Sequence, residues 1–270
     1  MNNIQKVIKY VAIVVAISLV VGIASSILTG MLAITGISTL IDIVNDNVQT
    51  TNYTKEYTNI KSIEIDVKSI NLEVVQSTEI KANIVRIEGI DIPVDFTLEE
   101  ENEELKISGS NVKNGSKLVI YLSNDFYNLD IDIGAGNIQI KDIKINNLDL
   151  NTGAAETYIS NLMVISSADI DSGAGEIVFE NCSIANLDMD AGIGNVEYNG
   201  SLTGTNTVNC GVGNIEINLS KTNGTYKITA EKAIGELNVN GNKLSGMQTI
   251  GEGSNLLKIS GGIGNINVTY

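Results

Sequence analysis

Aspartates recur in fixed register along the second half of the chain and are the residues best placed to do chemistry. Asp130, Asp149, Asp169 and Asp188 each stand four positions before a small-residue triplet, and Asp132, Asn151, Asp171, Asp190 and Asn209 stand two before it. Carboxylates brought side by side repel one another, which raises their pKa values or recruits a cation. Oxygen-only ligands suit Ca²⁺, which takes about 6–8 of them. Asp130, Asp132, Asp149, Asp169, Asp171, Asp188 and Asp190 therefore form a candidate cation ladder. The competing reading is a solvated strand face whose charges oppose edge association and keep the protein soluble. The calcium-binding nonapeptide pattern has Asp after its glycines, whereas here Asp precedes them and the period differs.

Other chemistry is narrowed by what the 270 residues lack. There is no His and no Trp, a single Arg (Arg86) and two Cys. A Ser-His-Asp or Cys-His centre is thus impossible, and the imidazole ligand of most zinc sites is missing. A formal charge of −15 argues against nucleic acid, whose binding draws on Lys and Arg. Two carboxylates can suffice for glycoside hydrolysis, but no pair stands out among so many acids. The chain is expected to be non-catalytic and to need no cofactor. Cys182 and Cys210 occupy different parts of the repeat, which favours two small buried hydrophobes over a disulfide.

The elements that carry the aspartates are set by the triplets. These run Gly134-Ala135-Gly136, Gly153-Ala154-Ala155, Gly173-Ala174-Gly175, Gly192-Ile193-Gly194 and Gly211-Val212-Gly213, with weaker copies at Ala233-Ile234-Gly235 and Gly262-Ile263-Gly264. Successive spacings are 19, 20, 19, 19, 22 and 29. A period near 20 is a solenoid signature, because one unit cannot close a core and stacked units share one. Between the two polar positions of each unit lies an apolar residue (Ile131, Leu150, Ile170, Met189), as expected for strands with one buried face. The fold expected is an all-β β-solenoid, one repeat per coil, with Gly at corners where a side chain would crowd the next coil. A β-sandwich also gives short strands, but offers no reason for Asp to hold one position in four consecutive units.

Upstream, Ile63, Ile65 and Val67 alternate with Glu64, Asp66 and Lys68, and Glu99–Glu104 reads as a charged hairpin tip. No charged residue lies between Lys9 and Asp42, a run long enough to span a bilayer as a helix. Lys6 and Lys9 precede the run and no base follows it closely, which puts the N-terminus in the cytoplasm and the remainder outside. The expected organisation is a cytoplasmic stub and transmembrane anchor (1–44), a linker (45–60), a degenerate β-strand region (61–125) and solenoid repeats (126–270). The net acidity belongs to the last two-thirds and more of the chain: residues 1–44 carry +1, 45–125 carry −7 and 126–270 carry −9.

Units such as Ile131-Asp132-Ile133-Gly134-Ala135-Gly136-Asn137-Ile138 and Cys210-Gly211-Val212-Gly213-Asn214-Ile215 resemble the bacterial putative-adhesin family of β-strand-repeat domains of unknown function. The resemblance covers roughly Ile63 to Tyr270. It implies a membrane-associated β-solenoid of the bacterial cell envelope without established catalytic residues. Two function classes follow: an extracellular binding or structural module for an envelope protein or glycan, and an envelope-stress or sensory accessory acting through membrane partners. A divalent-cation-binding scaffold is a third.

Overall fold

The computed structural model describes residues 48–111, 113–123, 128–220 and 226–270. Residues 48–270 form one compact unit. The transmembrane anchor expected within residues 1–44 lies outside the described residues, among which no helix is long and apolar enough to cross a membrane.

Every regular element described is a β-strand. In chain order they are β1 (Thr50–Thr58), β2 (Ser62–Ser69), β3 (Asn71–Gln76), β4 (Ile84–Pro93), β5 (Thr97–Glu101), β6 (Glu104–Gly109) and β7 (Lys117–Leu122). The repeat region follows as β8 (Asn128–Lys141), β9 (Lys144–Ser160), β10 (Met163–Ala174), β11 (Ile177–Ala185), β12 (Leu187–Ile193), β13 (Val196–Thr203), β14 (Thr205–Val212) and β15 (Ile215–Leu219). The last are β16 (Tyr226–Ile234), β17 (Leu237–Val239), β18 (Asn242–Lys243), β19 (Gln248–Ile250), β20 (Asn255–Ile263) and β21 (Ile266–Thr269).

The repeats stack as coils through parallel, in-register pairing, so like residues meet like. Asp130 pairs with Asp149, Asp149 with Asp169 and Asp169 with Asp188. The alternation expected from sequence holds: Ile131, Leu150, Ile170 and Met189 are buried while the flanking aspartates are exposed. A second interior column runs Ile140, Ile159, Phe179, Tyr198 and Ile217. The rings of Phe179 and Tyr198 lie 5.3 Å apart, tilted by 43°. The buried Tyr198 hydroxyl donates to the Ser201 carbonyl at 2.8 Å, so it carries no unmet polar group into the core.

Coil order in space departs from chain order at both ends. The stack reads β6–β7, β2–β3, β8, β9, β10–β11, β12–β13, β14–β15, β20–β21, β16–β17. The first coil of the chain therefore sits second in space, and the last coil sits second from the other end. Antiparallel strands close the stack: β5 on β6, β4 on β7 and β1 on β4 at one end, β19 on β16 and β18 on β17 at the other. Such caps cover the strand edges through which a solenoid would otherwise polymerise.

Two boundaries expected from sequence change. The linker expected over 45–60 contains β1, a polar strand with no apolar alternation to betray it. It is held by pairing with β4 and by the Tyr53 ring lying over Gly89, where a Cβ would come within 2.8 Å of the ring. The region 61–125, expected to be degenerate strands, supplies two full coils that share the interior with the repeats.

Candidate functional site

The outward faces are built from two columns on the first strand of each coil. The column four residues before the triplet reads Lys106, Glu64, Asp130, Asp149, Asp169, Asp188, Thr207 and Lys258 along the stack. The acidic run thus abuts Lys106 at one end, while at the other Thr207 separates it from Lys258, which pairs onward with Thr229. Lys106 donates to Glu64 at 2.6 Å and lies 3.4 Å from Glu104, which raises its pKa. The column two before the triplet reads Asp66, Asp132, Asn151, Asp171, Asp190 and Asn209. Asparagine interrupts the acids here and hydrogen-bonds neighbouring carboxylates: Asn151 donates to Asp149 of the other column at 2.9 Å and Asn209 to Asp190 at 2.6 Å.

All seven aspartates of the candidate ladder are exposed. The structure brings them into two straight lines rather than around a point, and among the described residues no three His, Cys, Asp or Glu side chains converge on a shared centre. A cation here would meet carboxylates from neighbouring coils along a line, not a cage of the 6–8 oxygens Ca²⁺ takes. Asp130 and Asp169 have raised pKa values. Desolvation by the neighbouring coils is the largest cause and the charge of Asp149 the next, so like-charge repulsion is the second effect rather than the first.

Glycine geometry shapes the floor beside these columns. Gly153, Gly173, Gly192 and Gly211 stack so tightly that a Cβ on any of them would lie 2.4–2.6 Å from the carbonyl oxygen of the preceding glycine. The last triplet residue, as in Gly175, Gly194 and Gly213, adopts φ of 140–150°, where a Cβ would come within 1.8 Å of the neighbouring coil. Without side chains the backbone recedes. A shallow groove of about 560 Å³ results, lined by Asp132, Asn151, Asp171 and Asp190 over Gly153, Gly173 and Gly192.

The second strand of each coil presents a different face. A groove of about 220 Å³ is lined by Asn137, Gln139, Glu156, Tyr158 and Glu176. The Tyr158 hydroxyl donates to Glu180, and that bond raises the tyrosine pKa.

Asparagine ladders at the corners were not singled out in the sequence. Asn137 donates to Asn71 at 2.9 Å; the Asn214 amide donates to Asn195 Oδ1 at 3.1 Å and the Asn265 amide to Asn214 Oδ1 at 3.0 Å. A second ladder joins Asp142, Asn161 and Asn181, each in the left-handed region with φ of 50–54°. Asn tolerates that conformation better than most residues and satisfies its neighbour's amide at the same time. Recurrence of Asp or Asn at 142, 161 and 181 is the signal that marks this corner.

Both cysteines are free and buried, and lie in different columns: Cys182 faces Gly200, Cys210 faces Ala191. Burial pushes the Cys182 thiol up to about 11 and raises that of Cys210.

No curated protein matches this chain. Solved structures similar to it include a putative adhesin from Parabacteroides distasonis ATCC 8503 (13% identity, 82% of this chain and 98% of that one, TM-score 0.45). Others are a putative adhesin from Bacteroides fragilis NCTC 9343 (15%, 82% and 98%, 0.41) and a putative cell adhesion protein from Clostridium sporogenes ATCC 15579 (15%, 81% and 99%, 0.36). The Toastrack DUF4097 family model matches residues 60–243, the stretch that holds the in-register aspartates and five full Gly-x-Gly or Gly-Ala-Ala corners, and the chain belongs to that family.

Proposed function

We propose that this protein is a non-catalytic binding or structural module of a bacterial cell envelope, anchored by a single N-terminal span with residues 48–270 outside. The observation that carries the binding reading is the pair of shallow grooves crossing several coils, lined by carboxylates, amides and Tyr158. Sites for small apolar ligands are enclosed and mostly hydrophobic. An open groove with a glycine floor and a rim of carboxylates and amides, repeating at coil spacing, suits an extended partner, such as an envelope glycan, that can meet the same groups again on each coil.

The anchor rests on the charge-free run between Lys9 and Asp42, and the orientation on Lys6 and Lys9. Purified residues 48–270 are expected to retain envelope glycans or whole cells on a surface. Asp171→Asn with Asp190→Asn, or Tyr158→Ala, should weaken that retention. Wild-type protein that binds neither glycans nor cells would sink the binding reading and leave the accessory role acting through membrane partners.

A further inference from the structure

The end of the solenoid where the chain enters carries exposed aliphatic side chains on fixed backbone. β4 leaves its ladder with β1 by a bulge: Ile90 and Asp91 together oppose the single residue Asn52. Asp91 takes φ 51°, and its amide donates to Asn52 Oδ1 at 2.7 Å. The bulge leaves Ile90 46% exposed. Four residues on, Val94 is 61% exposed in a turn closed by the Phe96 amide on the Pro93 carbonyl at 3.1 Å. Between them Ile92 and Pro93 are buried, so the two outward side chains stand on a rigid base.

Turns of this kind ordinarily carry polar residues or glycine, and β-bulges commonly re-aim a side chain. Asp95 directs its charge inward: one carboxylate oxygen accepts from the Ser110 amide, the Ser110 hydroxyl and the Asn111 amide at 2.9–3.0 Å. Asp91 remains as the exposed charge of the turn.

Location selects the partner. The Val94 amide donates to the Gln49 carbonyl at 3.1 Å, which ties this turn to the first residues of the compact unit. Only eight residues, nine Cα–Cα steps, lie between Leu40, where the apolar run of the sequence ends, and Gln49. Fully extended they reach about 30 Å. Aliphatic side chains tethered within that reach of a span can enter the interfacial layer, where binding grows with apolar area buried.

We infer that Ile90 and Val94 seat in the surface of the bilayer that anchors the chain, so that the solenoid stands on this end and its opposite cap, with Met247, points away. The inference rests on the proposed anchor. Nine coils at ~4.8 Å put the two ends about 40 Å apart.

The chain has no Trp, so one introduced Trp is an unambiguous probe. The full chain carrying Val94→Trp, and separately Met247→Trp, is reconstituted into zwitterionic phosphatidylcholine vesicles with or without bromine on the acyl chains. Retention in the vesicle pellet after an alkaline wash reports the anchor; emission reports the seat. The expected result is retention of both variants, with blue-shifted emission quenched by brominated lipid for Val94→Trp alone. Retention with a solvent-exposed Val94→Trp overturns the seat and leaves the anchor standing. Quenching of both positions overturns it as adsorption without orientation. Loss from the pellet overturns the anchor and the seat with it. Ile90→Trp repeats the measurement should the melting curve of Val94→Trp show that it does not fold.

Discussion

A methyl group on Gly213 would lie 1.6 Å from the carbonyl oxygen of Gly194 in the coil beside it. That contact, together with a φ of 150°, makes the position closed to any other residue unless two coils separate. Gly213→Ala should destabilise by about 3–5 kcal/mol, from backbone strain of roughly 1–3 and overpacking of similar size. In a domain this long that lowers Tm by about 10 °C. Ala155 fills the equivalent position two coils from Gly194 without a left-handed φ, so Ala155→Gly should cost about 1 kcal/mol or less. Thermal melts of the two variants check the contrast.

Stability should rise as solutions become mildly acidic. Asp130 and Asp169 have folded pKa values above the ordinary carboxylate value, so the folded state binds protons more readily than the unfolded chain. Their penalty is fully present at neutral pH. It is relieved as pH falls through the raised folded values toward the unfolded value of about 3.9. Glu73 and Asp95 work in reverse. The hydrogen bond from Lys117 holds Glu73 below its ordinary range. Burial pushes Asp95 up, but the Asn111 and Ser110 donors outweigh it and hold the group down. Their contribution disappears as pH drops below about 4. Asp169→Asn should therefore raise Tm at pH 7, by an amount that shrinks toward pH 4, while Asp95→Asn lowers it at neutral pH. Melts across pH 3–8 would test both signs, and an Asp169→Asn gain that grows in acid would reject the assignment.

Cations should stabilise the aspartate lines without a tight site. Ca²⁺ at about 10⁻³ M, the level at which extracellular modules bind it, should raise Tm more than Na⁺ at equal ionic strength, since one ion can neutralise carboxylates on adjacent coils. Asp149→Asn with Asp169→Asn should remove the difference. Calorimetric titration should show no saturating step at micromolar Ca²⁺; one that did would mean the carboxylates gather around the ion.

Cys182 should be silent toward thiol reagents in the native protein. A thiol pushed up to about 11 holds almost no thiolate at pH 8, and its sulfur is enclosed. Labelling should therefore follow global unfolding in denaturant, with no disulfide between Cys182 and Cys210 on mild oxidation. Rapid labelling under native conditions would contradict the buried placement.

The repeat core was legible in the sequence because three signals share one register: Asp, an apolar residue, then glycine. Each is dictated by a different constraint, namely exposure, burial and close approach of coils, so their coincidence at 130–136, 149–155, 169–175 and 188–194 has few explanations besides stacking. The order of the end coils was not legible. Coils with the same alternation are interchangeable by pattern, and only long-range bonds such as Asn265 to Asn214, 51 residues apart, select the neighbour. The spacings of 22 and 29 marked where the chain departs from sequence order, though not how. β1 escaped notice because its partial burial comes from Tyr53 meeting Gly89 and from Tyr57 packing against the core, two aromatics in an otherwise polar stretch. The grooves were half visible: their acids stand in the sequence, but their depth comes from side chains that glycine omits.

Chain order and spatial order agree only for β8 through β15, between the two exchanged ends. Adding or removing a 19- or 20-residue unit in that stretch leaves both caps and every exchanged contact as they are. Adding one at either terminus would instead have to be threaded between coils already in place. Relatives of different length should therefore differ in the middle, as a bookshelf lengthened between fixed bookends, and the reach of the aspartate face would scale with the number of units inserted there.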